Sequence, residues 1–182
     1  MRLEDAKPKA EKVCLVLQPL CERVVVAGSI RRGKAEVNDI DIVAMPKPLD
    51  LPGALGGTAH FNESQVWKDL IPKALVKWGL RLEASGQELL RLSFPLSGLQ
   101  VDVYRARAET WGVILLVRTG SKEHNVKLCT LARSKGLKLS AAEGVVAQDG
   151  FGKIMACRSE EEIFSALGLA YVEPKDREAW NA

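Results

Sequence analysis

The chain has 182 residues, 47% hydrophobic and 27% charged, a balance that excludes a disordered or fibrous protein and suffices for one domain or two small lobes with a core. Its 26 basic and 23 acidic side chains leave a net charge of +3, which permits an anionic partner and equally fits a solvated surface. No apolar run approaches the ~18 residues of a membrane span, Met1 to Leu20 is too charged for a signal peptide, and the four cysteines contain no C-x-x-C. A soluble, cytoplasmic and non-secreted protein with reduced thiols and no structural zinc is expected.

Residues 3–22 read as an amphipathic helix, with Ala10, Val13, Leu17 and Leu20 at helical spacing and Pro19 marking an end or kink. Cys14 and Cys21 then sit two turns apart on one face. Arg23 to Ala27 is a short β-branched strand, ended by Gly28-Ser29. Asp39 to Met45 alternates as a strand, with Asp39 and Asp41 on one face and Ile40 and Ile42 on the other. Pro46 to Asn62, with Gly53, Gly56 and Gly57, reads as a mobile connection. Val66 to Trp78 suits a helix, although Pro72 complicates it. Strands are expected at Leu89–Phe94 and Leu99–Tyr104. Trp111 to Val117 fits either a strand or a helix. Asn125 to Lys135 reads as a helix stopped by Gly136. Short strands are expected around Leu137 to Val146 and Gly152 to Ala156. Ser159 with Glu162 marks the start of a helix that runs to Leu167 and stops at Gly168.

The stretch Gly28 to Val43 carries the chemistry. Aspartates at i and i+2 on a strand lie roughly 6.5–7 Å apart and share one face. Their hard oxygens suit Mg²⁺, although an exposed edge strand gives the same pattern. The turn before them is what shifts the reading. Gly28 allows close backbone approach, Ser29 offers a hydroxyl and an N–H, and Arg31, Arg32 and Lys34 supply positive charge. Neighbours on a helix cannot both face one ligand, so one of the two arginines is expected to be structural. Asp102 is a lone acid in the apolar stretch Leu99 to Val103. It fits a third metal ligand and proton acceptor, or a surface aspartate on a polar face.

Read in order, these residues resemble the DNA polymerase beta superfamily of nucleotidyltransferases, whose signature is Gly-Ser, a spacer, Asp-x-Asp and a later third Asp. Gly28-Ser29-Ile30-Arg31-Arg32-Gly33 before Asp39-Ile40-Asp41 is similar to the form in family X DNA polymerases. Arg118-Thr119-Gly120-Ser121 with Asn125, Lys135-Gly136, Glu160 to Phe164, Leu167-Gly168-Leu169, Tyr171 and Glu173 to Glu178 resemble the later motifs of that family.

The resemblance implies an α+β fold. A nucleotidyltransferase palm over residues 1–106 would have a mixed β-sheet backed by helices, and a small α/β thumb-type lobe over 107–182 would select the nucleotide. It implies a DNA-directed DNA polymerase that uses two Mg²⁺ ions, or Mn²⁺ in their place. Asp39 and Asp41 would bind both metals. Asp102 would bind the one at the primer 3′-hydroxyl. Gly28, Ser29 and Arg32 would hold the triphosphate with backbone help near Asn38. Gly120 and Asn125 would line the sugar and base. Lys122, Lys127 and Arg133, with Lys135 and Lys138, would grip DNA, or form an ordinary solvated helix face. The partners implied are DNA and dNTP, with no membrane and a monomeric state.

Departures from the family pattern limit what is carried over. Val117 and Arg118 stand where the family has an aromatic pair against the sugar, so weak discrimination between deoxy- and ribonucleotides is expected. Gln100 stands where an Arg is common, Cys129 where an Arg often touches the template, and Asn38 where Gly is common. The chain begins too close to the motif for lyase and fingers lobes, which implies a minimal enzyme without lyase activity that fills gaps or repairs ends. The competing readings are a template-independent or RNA-directed nucleotidyltransferase, and an inactive nucleic-acid-binding module.

Overall fold

The computed structural model describes residues 1–53, 57–148 and 154–178. Helix α1 (Leu3–Leu17) passes through a 3-10 turn at Gln18–Leu20 into strand β1 (Cys21–Val26). The helix ends earlier than its spacing suggests because Pro19 has no N–H with which to continue it. Cys21 therefore opens β1, and the two cysteines lie on different elements rather than on one helix face.

One turn of helix, α2 (Gly28–Arg31), precedes strand β2 (Asp39–Pro46). The Pro- and Gly-rich stretch after it is a hairpin of β3 (Leu49–Pro52) and β4 (Thr58–Phe61) rather than a plain connection. Leu49-Asp50-Leu51 and Ala59-His60-Phe61 alternate apolar and polar, the period of a strand. Residues 54–56, with Gly56, lie outside the described residues.

The expected helix at Val66 begins at Glu63 and changes register on the way. Helix α3 (Glu63–Gln65) is followed by a π-helical segment, Val66–Leu70, and by α4 (Ile71–Trp78). Pro72 lacks the N–H that an unbroken α-helix would need there, and the wider π turn absorbs the fault.

Strands β5 (Arg81–Ser85), β6 (Leu89–Ser93) and β7 (Gln100–Arg105) complete a mixed sheet of order β1-β2-β7-β6-β5, parallel between β2 and β7. Ile40, Ile42, Leu90, Leu92, Val101 and Val103 bury one face against Ala10, Val13 and Leu17 of α1 and Ile71 and Leu75 of α4. The other face carries Asp39 and Asp41 at the start of β2. At the end of that strand, Val43 and Met45 pack in one cluster with Trp111 and Leu115.

Those last two belong to α5 (Trp111–Thr119), which settles the strand-or-helix ambiguity. Its other side, through Val113 and Leu116, packs with Leu128 and Ala132 of α6 (Lys122–Ser134) and Ile163 and Phe164 of α7 (Glu160–Ala166). A helix buried on two sides has no polar face, so no helical period shows in its sequence. A Cβ on Gly112 would lie 2.4 Å from the Ser159 backbone, so a glycine is what lets α5 approach the start of α7 this closely.

Helix α6 starts before Asn125 because Ser121 caps it, its Oγ accepting from the His124 N–H at 3.3 Å. A three-stranded antiparallel sheet of β8 (Leu137–Ser140), β9 (Gly144–Ala147) and β10 (Ile154–Ala156) follows α6. Gly152, in the strand expected there, lies outside the described residues. The architecture is thus a mixed sheet backed by helices, followed by a smaller α/β unit. Among the described residues no helix is long and apolar enough to cross a membrane.

Candidate active site

The turn after β1 is built against β2. The Ala27 N–H donates to the Asp41 carbonyl at 2.8 Å, and Gly28 takes φ +59°. A Cβ on Gly28 would fall 1.9 Å from Asp41 Oδ2, so only glycine lets the chain pass over that carboxylate. Ser29 follows, its Oγ buried with no hydrogen-bond partner among the described residues.

The parallel pairing of β2 with β7 sets Asp39 opposite Gln100 and Asp41 opposite Asp102. Adjacent strands lie about 4.8 Å apart, so the third aspartate stands beside the pair on the same sheet face. Burial, and then the charges of Asp39 and Asp102, push the Asp41 carboxyl up to about 7, against the Tyr104 hydrogen bond and Arg118. Asp41 carries the strain of three acids gathered in one place.

Asp102 is only 2% exposed and already engaged. Arg91, its partner across β6–β7, donates to Oδ1 from Nε at 2.9 Å and to Oδ2 from Nη2 at 2.8 Å. Gln100 Nε2 and the Tyr104 hydroxyl reach Oδ2 at 3.1 and 3.3 Å. Asp39 and Asp41 offer hard oxygens, and the crowding of acids around Asp41 is what a divalent cation would relieve. Asp102 in this bidentate grip does not complete a three-carboxylate cage, and no group of three or more metal-ligating side chains occurs among the described residues.

A cavity of about 660 Å³ opens in front of the two aspartates. Gly28, Ser29, Arg32 and Asn38 line it together with Asp39 and Asp41, and Val117, Arg118, Gly120 and Asn125 join them from α5 and α6. Asn125 is fixed by donating to the Val117 carbonyl at 2.8 Å, and the Arg118 guanidinium stacks 4.1 Å over the Tyr104 ring. Lys122 and Arg133 also line the cavity, whereas Asp102 and Lys127 do not. Lys135 donates to the Leu167 carbonyl at 2.6 Å and Lys138 pairs with Glu143 at 3.1 Å, so both already have protein partners.

The two neighbouring arginines divide their work. Arg31 turns away from the cavity to Thr119 and Glu160, and Glu160 is shared with Arg177 at 2.8 Å. Arg32 lies on the cavity wall, with Nη1 on the Thr119 carbonyl and Nε on Glu178 at 2.6 Å. Arg91, Glu160, Arg177 and Glu178 carry these contacts, and none has a local motif that assigns it a partner. Arg91 is found only through the β6–β7 register. The others come from the far end of the chain.

Residues 114–178 match the family model described as DNA polymerase beta thumb. The chain is 27% identical over 171 residues to DNA polymerase lambda of Rattus norvegicus, covering 85% of this chain and 28% of that protein. It is 30% identical over 156 residues to DNA polymerase/3'-5' exonuclease PolX of Bacillus subtilis (strain 168), covering 84% of this chain and 24% of that protein. The chain is thus similar to these DNA polymerases over 84–85% of its own length. It spans about a quarter of the length of these relatives. The thumb match takes in Arg118, Gly120, Asn125, Glu160 and Glu178, while Asp39, Asp41 and Asp102 precede it.

Proposed function

We propose that this chain is a DNA-directed DNA polymerase of family X type, joining a deoxynucleotide to a primer 3′-hydroxyl with release of pyrophosphate. The observation that carries the reading is the register of Asp41 beside Asp102 on parallel strands, next to Asp39 at a cavity also lined by Arg32 and Ser29. Residues 1–106 form the catalytic palm in this reading, and 107–182 the nucleotide-selecting lobe. The likeness to family X polymerases supports DNA as the partner.

Asp39 and Asp41 would hold two Mg²⁺ ions, or Mn²⁺, and Asp102 would join them once Arg91 lets go. Bound there, the cations would supply charge neutralisation and a more acidic primer hydroxyl. Ser29 and Arg32 orient the outgoing phosphates, and the buried, unpartnered Ser29 Oγ is suited to an acceptor oxygen. Asn125 and Gly120 border the base and sugar. Lys122 and Arg133 at the cavity, with Lys127 on the same helix, contact DNA phosphates. Positioning and charge do most of the work, as in other phosphoryl transfers. Gap filling or end repair by a monomer suits such a site.

Primer extension on single-stranded, primed and gapped DNA with each cation tests this reading. Extension on primed or gapped DNA, abolished by Asp39→Ala, is expected. A wild type that extends nothing, or an Asp39→Ala variant equal to it, overturns the reading. Extension of single strands alone would mark a template-independent transferase.

The bidentate hold of Arg91 on Asp102 favours one second reading, a nucleic-acid-binding module without catalysis. DNA binding without any extension would identify it.

A further inference from the structure

Arg32 and Lys34 are basic side chains on the cavity wall, and both face Glu178. The Glu178 carboxylate accepts from Arg32 Nε at 2.6 Å and lies 3.6 Å from Lys34 Nζ. Its neighbour Arg177 is fully buried and anchored, donating to Glu160 at 2.8 Å and to the Val172 carbonyl at 3.0 Å. The anchor thus stops one residue short of Glu178, whose side chain is 34% exposed. An ion pair open to water on one side is held weakly and separates without disturbing the core.

We propose that Glu178 is a displaceable internal anion, occupying the edge of Arg32 that a ligand phosphate takes and leaving when that phosphate arrives. The inference rests on the reading of the Arg32 wall as a phosphate site, and it adds a competitor that the ligand must expel. A guanidinium presents its N–H donors in a fixed planar fork, so carboxylate and phosphate cannot both take the Nε edge. Removing the competitor strengthens ligand binding. By reciprocity, the ligand loosens the hold on Glu178 to the same degree.

Calorimetric titration with inorganic tripolyphosphate, which needs neither DNA nor turnover, tests this. Glu178→Gln keeps the size of the side chain and removes its charge. It should bind tripolyphosphate roughly three-fold more tightly than wild type, the factor expected for losing one ion pair that is open to water on the glutamate side. In wild type, tripolyphosphate should also speed amide exchange at Glu178 while leaving Arg177 protected. Arg32→Gln should weaken binding by at least ~10-fold, as a charge-assisted contact requires. Equal affinities for Glu178→Gln and wild type overturn the proposal. If Arg32→Gln still weakens binding in that case, the phosphate site itself survives. If Arg32→Gln is also without effect, the phosphate reading of the wall falls with it. Tighter binding by Glu178→Gln in a chain that extends no primer supports the displaceable anion and removes only the polymerase reading.

Discussion

Arg31, at the end of the single turn α2, donates to both carboxylate oxygens of Glu160, the first residue of α7, at 2.9 and 2.6 Å. Glu160 is 4% exposed and also accepts from Arg177, so one buried carboxylate ties the turn beside the aspartates to the C-terminal helix and tail. Burial alone would favour the neutral acid, but the hydrogen bonds and charges of Arg31 and Arg177 hold its pKa below the ordinary carboxylate range. Glu160→Ala leaves two cations facing each other in a dry site and should lower stability by about 3–5 kcal/mol in urea unfolding. Because the folded pKa is the lower one, Glu160's contribution is complete above the unfolded carboxyl value and disappears as pH falls through the folded one. A loss under ~1 kcal/mol would show the network to be dispensable.

Asp41 has the opposite sign. Its folded carboxyl is pushed up to about 7, first by burial and then by Asp39 and Asp102, so between the unfolded value and 7 the folded state binds a proton that the unfolded state has lost. Stability from this group therefore falls as pH rises through that window and levels off above it. Asp41→Asn should be more stable than wild type at pH 8, by on the order of 3 kcal/mol, and the gap should close near pH 4. Mg²⁺ should raise the melting temperature of wild type at pH 8 and leave Asp41→Asn little changed. A variant that tracks the wild type at every pH would remove the strain from Asp41.

How much of this was legible in the sequence depends on the range of the signal. The parity of Asp39 and Asp41 is local, and the strand keeps it. The rule that adjacent helical arginines diverge is local too, although only the fold assigns Arg31 to Glu160 and Arg32 to the cavity. The seat of Asp102 beside Asp41 depends on a parallel pairing across about 60 residues, which no spacing encodes. Arg91 reaches Asp102 only because of the β6–β7 register. Strand β5 is exposed at every residue, so the short alternation of Leu82 and Ala84 with polar neighbours marks no buried face and gives only a weak strand signal. The helix α5 was ambiguous for the converse reason, being apolar on both sides.

Gly28 should tolerate no side chain. At φ +59° any L-residue is strained, and the added methyl would meet Asp41 Oδ2 at 1.9 Å. Gly28→Ala should cost at least about 2 kcal/mol of stability and abolish primer extension, since the displaced carboxylate is one of the two proposed to hold the cations. Gly33→Ala is the control, because its φ is also positive, at +73°, yet nothing lies within 4 Å of its Cβ. Equal losses in the two variants would reduce the effect to backbone strain alone.

In the proposed mechanism a cation would have to compete with Arg91 for the oxygens of Asp102. Arg91 is 44% exposed while Asp102 is 3% exposed at its side chain, so the guanidinium can swing into water but the carboxylate cannot follow. Arg91→Met keeps an apolar stem and removes the fork. The buried carboxylate then loses its bidentate partner and retains Gln100 and Tyr104, which should lower the melting temperature without divalent cation. The same change frees Oδ1 and leaves only neutral donors on Oδ2, so Mn²⁺ affinity should rise roughly three- to ten-fold, as removing a competing positive charge implies. Melting curves with and without Mn²⁺ read both effects at once, the variant starting lower and gaining more from the ion. If Mn²⁺ binds no more tightly to Arg91→Met, Arg91 only fills a surface and Asp102 is a structural acid.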